Sequence, residues 1–186
     1  HESAHLNRRF GFQEECLLKY GDLLVWNAFV STFNVLPFSA VVGEKIFCIH
    51  GGVSPELRNN AQLRRVVRPT DIPDEGLLCD VVWADYDHDI RDFALNDDRG
   101  ISIYFGPKQV ADFLNANGFD LLVRSHSTIN GIEVNGLCVT IFSASCFMGD
   151  HLNDAALLHI EQDLSVTFHV VPLPLTCRLL WPPTFP

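Results

Sequence analysis

Apolar residues recur at helical spacing over residues 14–33, where Leu17, Leu18, Leu23, Leu24, Val25, Trp26, Phe29, Val30 and Phe33 fit a helical face. Gly21-Asp22 interrupts the run, so the pattern predicts two helices that bury this face, the second capped by Asp22. Gly11 breaks a short helical start before them. The apolar runs then shorten. Residues 38–42 and 45–49 flank Gly43-Glu44 and predict a hairpin. Residues 57–65 predict a helix closed by Arg68-Pro69, and 77–84 form a compact apolar segment. A polar loop, 96–100, leads into a strand over 101–105. Pro107 then opens a helix that Asn117-Gly118 stops. Residues 121–123 read as a buried strand, and 132–134 with 137–143 as a hairpin around Asn135-Gly136. After a polar loop, 155–160 and 165–171 are two more strands. No repeat is visible. The order predicts an α+β fold, two sheets packed together with helices outside.

Size and charge narrow the picture. A chain of 186 residues can bury a real core as one domain. With 13 basic and 23 acidic residues its formal charge is −10, which argues against nucleic acid or an anionic membrane as partner. No apolar stretch is long enough for a membrane-spanning helix. Six cysteines, at 16, 48, 79, 138, 146 and 177, show no paired short spacing and read as small buried thiols of a reduced, intracellular protein. The chain opens on His1-Glu2, without a methionine and straight into patterned sequence, which reads as part of something longer. From Pro172 onward it changes character: residues 172–186 are proline-rich and apolar, a tail distinct from residues 1–171.

Two positions carry candidate chemistry. Residues 45–49 are a short apolar run that empties into His50-Gly51-Gly52, where the glycines permit positive φ or close backbone approach. Residues 121–123 run in the same way into Arg124-Ser125-His126. Imidazoles delivered from strands to loops are candidate ligands for a borderline divalent metal. Asp80, Asp85, Asp87, Asp89 and Asp92 cluster around His88, but the central glycine and terminal glutamate of a calcium loop are absent, so they read as a solvated acidic loop.

These residues belong to a wider set. It comprises His1-Glu2, Asn7-Arg8, Gly11-Phe12, Glu15-Cys16, residues 33–37 and 45–55, and Arg68-Pro69-Thr70-Asp71. It continues with residues 76–80 and Trp83, Asp98-Arg99-Gly100, Arg124 with His126, and Phe142-Ser143-Ala144. Together they resemble the metallophosphoesterase serine/threonine protein phosphatases of the protein phosphatase 1, 2A and calcineurin kind, most closely the protein phosphatase 1 branch, as far as about Val171.

The resemblance implies a metallophosphoesterase-type two-sheet β-sandwich flanked by helices, and hydrolysis of phosphoserine and phosphothreonine in proteins at a dinuclear centre of manganese, iron or zinc. It casts His1 as the general acid on the leaving oxygen, Arg99 as a phosphate-gripping guanidinium, and His50 and His126 as metal ligands. It makes Cys146, Phe147 and Met148 part of a loop that meets substrate or inhibitor. Phosphoprotein substrates, regulatory or scaffold subunits and a cytoplasmic or nuclear location follow. The same resemblance places these residues in the C-terminal half of the domain, the N-terminal half holding the remaining ligands. Phe147, where that family carries a tyrosine, and the foreign tail favour a second reading, an inactive structural or interaction subunit.

Overall fold

A computed structural model describes residues 1–149 and 151–173. Most of the proline-rich tail, and Asp150, lie outside the described residues.

Three helices come first: α1 (Ala4–Arg9), α2 (Phe12–Tyr20) and α3 (Leu24–Phe33). Gly11 and Gly21 separate them in left-handed backbone, and Asp22 Oδ1 accepts a hydrogen bond from Leu24 N at 2.8 Å. The expected burial of their apolar face is corrected by the structure. Cys16 and Trp26 are buried, but Leu18 and Leu24 are 80% and 73% exposed. The helices pack on one another, with the rings of Phe12, Phe29 and Phe33 centred 5.2 to 6.2 Å apart. Leu17, Leu18, Leu23 and Leu24 are left facing outward.

Strands β1 (Ser39–Val42) and β2 (Ile46–Ile49) form the expected hairpin, with Val42 opposite Ile46. Helix α4 (Asn60–Arg64) is shorter than the expected 57–65. Gln62 Oε1 accepts from the backbone of Arg58 and Asn59, which fixes the helix start there. The apolar segment after it is helix α5 (Leu77–Trp83). Strands β3 (Asp85–Tyr86), β4 (Ala94–Leu95) and β5 (Ile103–Phe105) form a small mixed sheet in the order β3-β5-β4. Two of its strands are only two residues long, too short to leave a sequence period. Helix α6 (Pro107–Asn117) ends at Gly118 in left-handed backbone, as Asn117-Gly118 implied.

Strands β6 (Leu121–Arg124), β7 (Gly131–Glu133) and β8 (Cys138–Thr140) join the first hairpin in a five-stranded sheet, order β1-β2-β6-β8-β7. Its three central strands, β2, β6 and β8, run parallel, with antiparallel strands at both edges. Parallel strands are covered on both faces, and the side chains alternate accordingly. Phe47, Leu122 and Cys138 pack into a cluster with Val81 of α5, Phe105 of β5, and Val110 and Phe113 of α6. Ile46, Leu121 and Val139 pack instead with Leu158, Ile160 and Phe168. Those last residues belong to β9 (Ala155–Ile160) and β10 (Val166–Val171), an antiparallel hairpin. The fold is α+β, with two mixed sheets flanked by helices and a hairpin closing the second face.

Candidate active site

Register brings the two histidines together. Cys48 of β2 pairs with Val123 of β6, so the strands leave the sheet side by side at the same edge. The next hydrogen bond, Ser125 N to His50 O at 3.0 Å, carries the alignment into both loops. The imidazoles of His50 and His126 end with ring centres 5.3 Å apart. In open α/β sheets, this carboxyl edge is where ligands are held.

The glycines after His50 serve close approach rather than positive φ. A Cβ on Gly51 would lie 2.7 to 2.9 Å from backbone atoms of Val82, Trp83 and Ala84. Gly51 N donates to Val81 O, so the loop lies directly against the end of α5. The chain leaves that helix at Asp85, the residue that organises the site.

Asp85, expected in a solvated acidic loop, is only 13% exposed. Its Oδ1 accepts from Arg124 Nη2 at 3.2 Å and meets His126 Nδ1 at 3.0 Å. Its Oδ2 accepts from Arg99 Nε at 2.9 Å and from Asn96 Nδ2 at 3.1 Å. Burial by itself raises the pKa of this carboxyl, but hydrogen bonds and charge from His126 and Arg99 outweigh it and hold Asp85 far below the usual carboxylate range. Arg124 is buried and spends its other donors on backbone carbonyls, Nε on Gly51 O at 2.7 Å and Nη2 also on Ala84 O. It ties the His50 loop to the end of α5.

Arg99 is half-exposed. Besides Asp85 it donates through Nη2 to His126 O at 3.1 Å, leaving Nη1 outside this network. Asn96, fully buried, accepts from Arg99 N while donating to Asp85, and so fixes both ends of the arginine's loop. Asp85, Arg99 and Arg124 line a cavity of about 370 Å³ with Tyr104, Ser127 and Glu133. Glu133 Oε1 accepts from Thr140, but Oε2 is buried with no hydrogen-bond partner among the described residues, and burial raises the carboxyl's pKa. A second, more open hollow of about 420 Å³ is lined by His50, Cys48, Phe38, Ser125 and Ser143, and Arg124 borders both.

Burial, reinforced by the positive charge of His126, the amino terminus and Arg124, lowers the pKa of His50 to about 4, so it is neutral at physiological pH. With His126 Nδ1 turned to Asp85, its Nε2 is left as the donor nitrogen. Two imidazoles side by side fit as part of a metal shell. Among the described residues, no group of three or more His, Cys, Asp or Glu side chains is arranged to hold a metal ion.

His1 is exposed at the amino terminus, close enough to His50 for the terminal charge to act on it. Cys146, Phe147 and Met148 lie in a separate loop. Phe147 packs edge-on to Phe142 at 5.2 Å, its backbone N donates to Asn153, and Met148 is exposed in left-handed backbone. Among the described residues, these three line neither hollow. Sequence reasoning missed Asp85 and Asn96. The signal that could have found Asp85 is the one that singled out His50 and His126: a buried apolar element, here α5, delivering one polar residue at its exit.

Residues 1–129 match the family model for calcineurin-like phosphoesterases. The chain belongs to that family. Among solved structures it is similar to a protein serine/threonine phosphatase from Saccharomyces cerevisiae with similarity to human phosphatase PP5, with a TM-score of 0.84 at 24% sequence identity. The match covers 94% of this chain and 58% of the yeast chain, so this chain spans little more than half of that relative's length. At that identity the likeness speaks for the fold. Among the described residues, no helix is long and apolar enough to cross a membrane.

Proposed function

We propose that this chain contributes the imidazole and guanidinium side of a protein serine/threonine phosphatase centre, which hydrolyses phosphoserine and phosphothreonine. The observation that carries the reading is the Asp85 network, which holds Arg99, Arg124 and His126 together next to His50. Family membership supports the hydrolytic class, and the likeness to a yeast protein serine/threonine phosphatase supports the substrate.

His50 and His126 would hold metal, with the remaining donors coming from groups other than those described. A bound pair of divalent ions, manganese, iron or zinc, would supply Lewis acidity and a water of lowered pKa. The chain's own residues do the rest. Arg99, always charged and forked, binds phosphate oxygens, while Asp85 and Asn96 keep its fork at the cavity wall. Arg124 holds the His50 loop in register with His126. His1, when protonated, gives its proton to the leaving serine or threonine oxygen. The 146–148 loop meets substrate or inhibitor from the side, with Phe147 supplying a ring and no hydroxyl. Regulatory or scaffold subunits are the expected protein partners, in the cytoplasm or nucleus. The free thiols of Cys16, Cys48, Cys79 and Cys138 fit such a reducing compartment.

The altered 146–148 loop, where Phe147 supplies a ring without a hydroxyl, favours a second reading, a catalytically inactive interaction subunit. Two measurements on the purified full-length protein separate them: bound metal per chain, and phosphate release from a phosphoserine peptide. Hydrolysis that Arg99→Ala and His50→Ala each abolish supports the phosphatase. Fewer than about one metal per chain with no phosphate release would leave only the interaction reading.

A further inference from the structure

We propose that His159 and His169 form a surface chelate for a borderline divalent transition metal, of the zinc, nickel and copper class. The site is separate from the His50–His126 pair and independent of the phosphatase reading.

The geometry follows from strand register. On the β9–β10 hairpin His159 faces Thr167, and His169 faces Leu157. The two histidines are therefore diagonal neighbours, both displaced by odd numbers from the inward-facing Leu158, Ile160 and Phe168. They share the outer face and are exposed. Diagonal cross-strand residues stand about 7–8 Å apart at the backbone, within reach of long rings. Here the imidazole centres lie 5.9 Å apart at an interplanar angle of 75°. A metal bound at about 2.0–2.1 Å from one nitrogen of each ring, in tetrahedral geometry, sets the ring centres about 5 Å apart. Closing that gap takes side-chain rotation alone, because six consecutive residue pairs hold the two strands.

A carboxylate completes the arrangement. Glu161 Oε1 lies 3.1 Å from His159 Nε2. Accepting that nitrogen's proton leaves the lone pair on Nδ1 and orients the ring, as carboxylates do behind metal-binding histidines. Imidazole donors select zinc, nickel and copper over magnesium or calcium. Two protein donors give a labile, water-completed site rather than a closed structural one, and they bridge adjacent strands, so binding stabilises the hairpin.

The test is calorimetric titration of the purified full chain with Ni²⁺, then Zn²⁺, for the native protein and for His159→Gln, His169→Gln and His50→Ala. Because all three histidines lie outside the hydrophobic clusters, circular dichroism should show each variant folded. The expected result is a binding isotherm that weakens at least about tenfold in His159→Gln and in His169→Gln alike, as loss of chelation requires, and survives in His50→Ala. Equal affinity in the native and both hairpin variants overturns the proposal. So does an isotherm lost only in His50→Ala, which places the metal at the other pair, or one lost in a single hairpin variant, which means a monodentate site.

Discussion

Replacing Asp85 by asparagine keeps the side chain's shape and removes the one carboxylate facing three cationic or imidazole groups. Arg124, 2% exposed at its side chain, loses its counter-ion at 3.2 Å. Breaking a buried pair from one side costs about 3–5 kcal/mol, because the remaining charge stays desolvated. Arg124 retains the carbonyls of Gly51 and Ala84, which places the cost near the lower figure. The Arg99 ion pair, 40% exposed on the arginine side, adds little to this. A loss of about 3 kcal/mol in a chain of this length lowers Tm by roughly 6–12 °C. The assay is thermal and urea unfolding of Asp85→Asn in the presence of a chelator, so that metal occupancy does not enter. Asp89→Asn is the control: Asp89 is 93% exposed and its change should stay within about 0.5 kcal/mol. A shift below about 1 kcal/mol for Asp85→Asn would show that Arg124 does not depend on this carboxylate, and the account of the site's assembly would be wrong.

Arg99→Ala should change stability by less than about 1 kcal/mol while abolishing phosphate release; unfolding curves and a phosphopeptide assay together check the split, and a large stability loss with activity retained refutes it. Gly51→Ala should destabilise by at least about 2 kcal/mol, since its Cβ meets backbone atoms that cannot turn away; wild-type stability would mean the His50 loop is free to shift. Glu133 has its pKa raised above 4.5 by burial, so the native state keeps a proton that the unfolded chain has released. Its contribution is therefore full below pH 4.5 and falls as pH rises through the folded value. Glu133→Gln should remove that decline in urea titrations at pH 5 and pH 8; identical pH slopes in both proteins refute it.

Strands, turns and their signals were legible where short-range chemistry decides the backbone. Asn135-Gly136 turns β7 into β8 with both residues at positive φ, and Gly118 stops α6 in the same region. The parallel strands showed as unbroken apolar runs because both of their faces are covered. What the sequence could not show is which exposed-looking residues a neighbour buries. Leu18 and Leu24 satisfy a helical face yet point to solvent, while Asp85, one of five nearby aspartates, is enclosed. Periodicity describes one element at a time. The burial of Asp85 depends on Arg124 from β6 and Arg99 from the loop before β5, 39 and 14 residues further along.

That separation also explains how the site is held. His126 sits at a φ of 59°, in left-handed backbone unusual for a residue with a side chain. Such a conformation persists only where its surroundings over-determine it. Here they do: its ring is fixed by Asp85, its carbonyl by Arg99, and Ser125 just before it by the His50 carbonyl. Three elements distant in sequence thus converge on one residue at the edge of the sheet. The strain at His126 and the burial of Asp85 are consequences of the same packing of α5 against the loop after β2, for which Gly51 leaves room. The guanidinium that would face phosphate and the imidazole that would face metal therefore share one carboxylate anchor. A change that loosens Asp85 should move both.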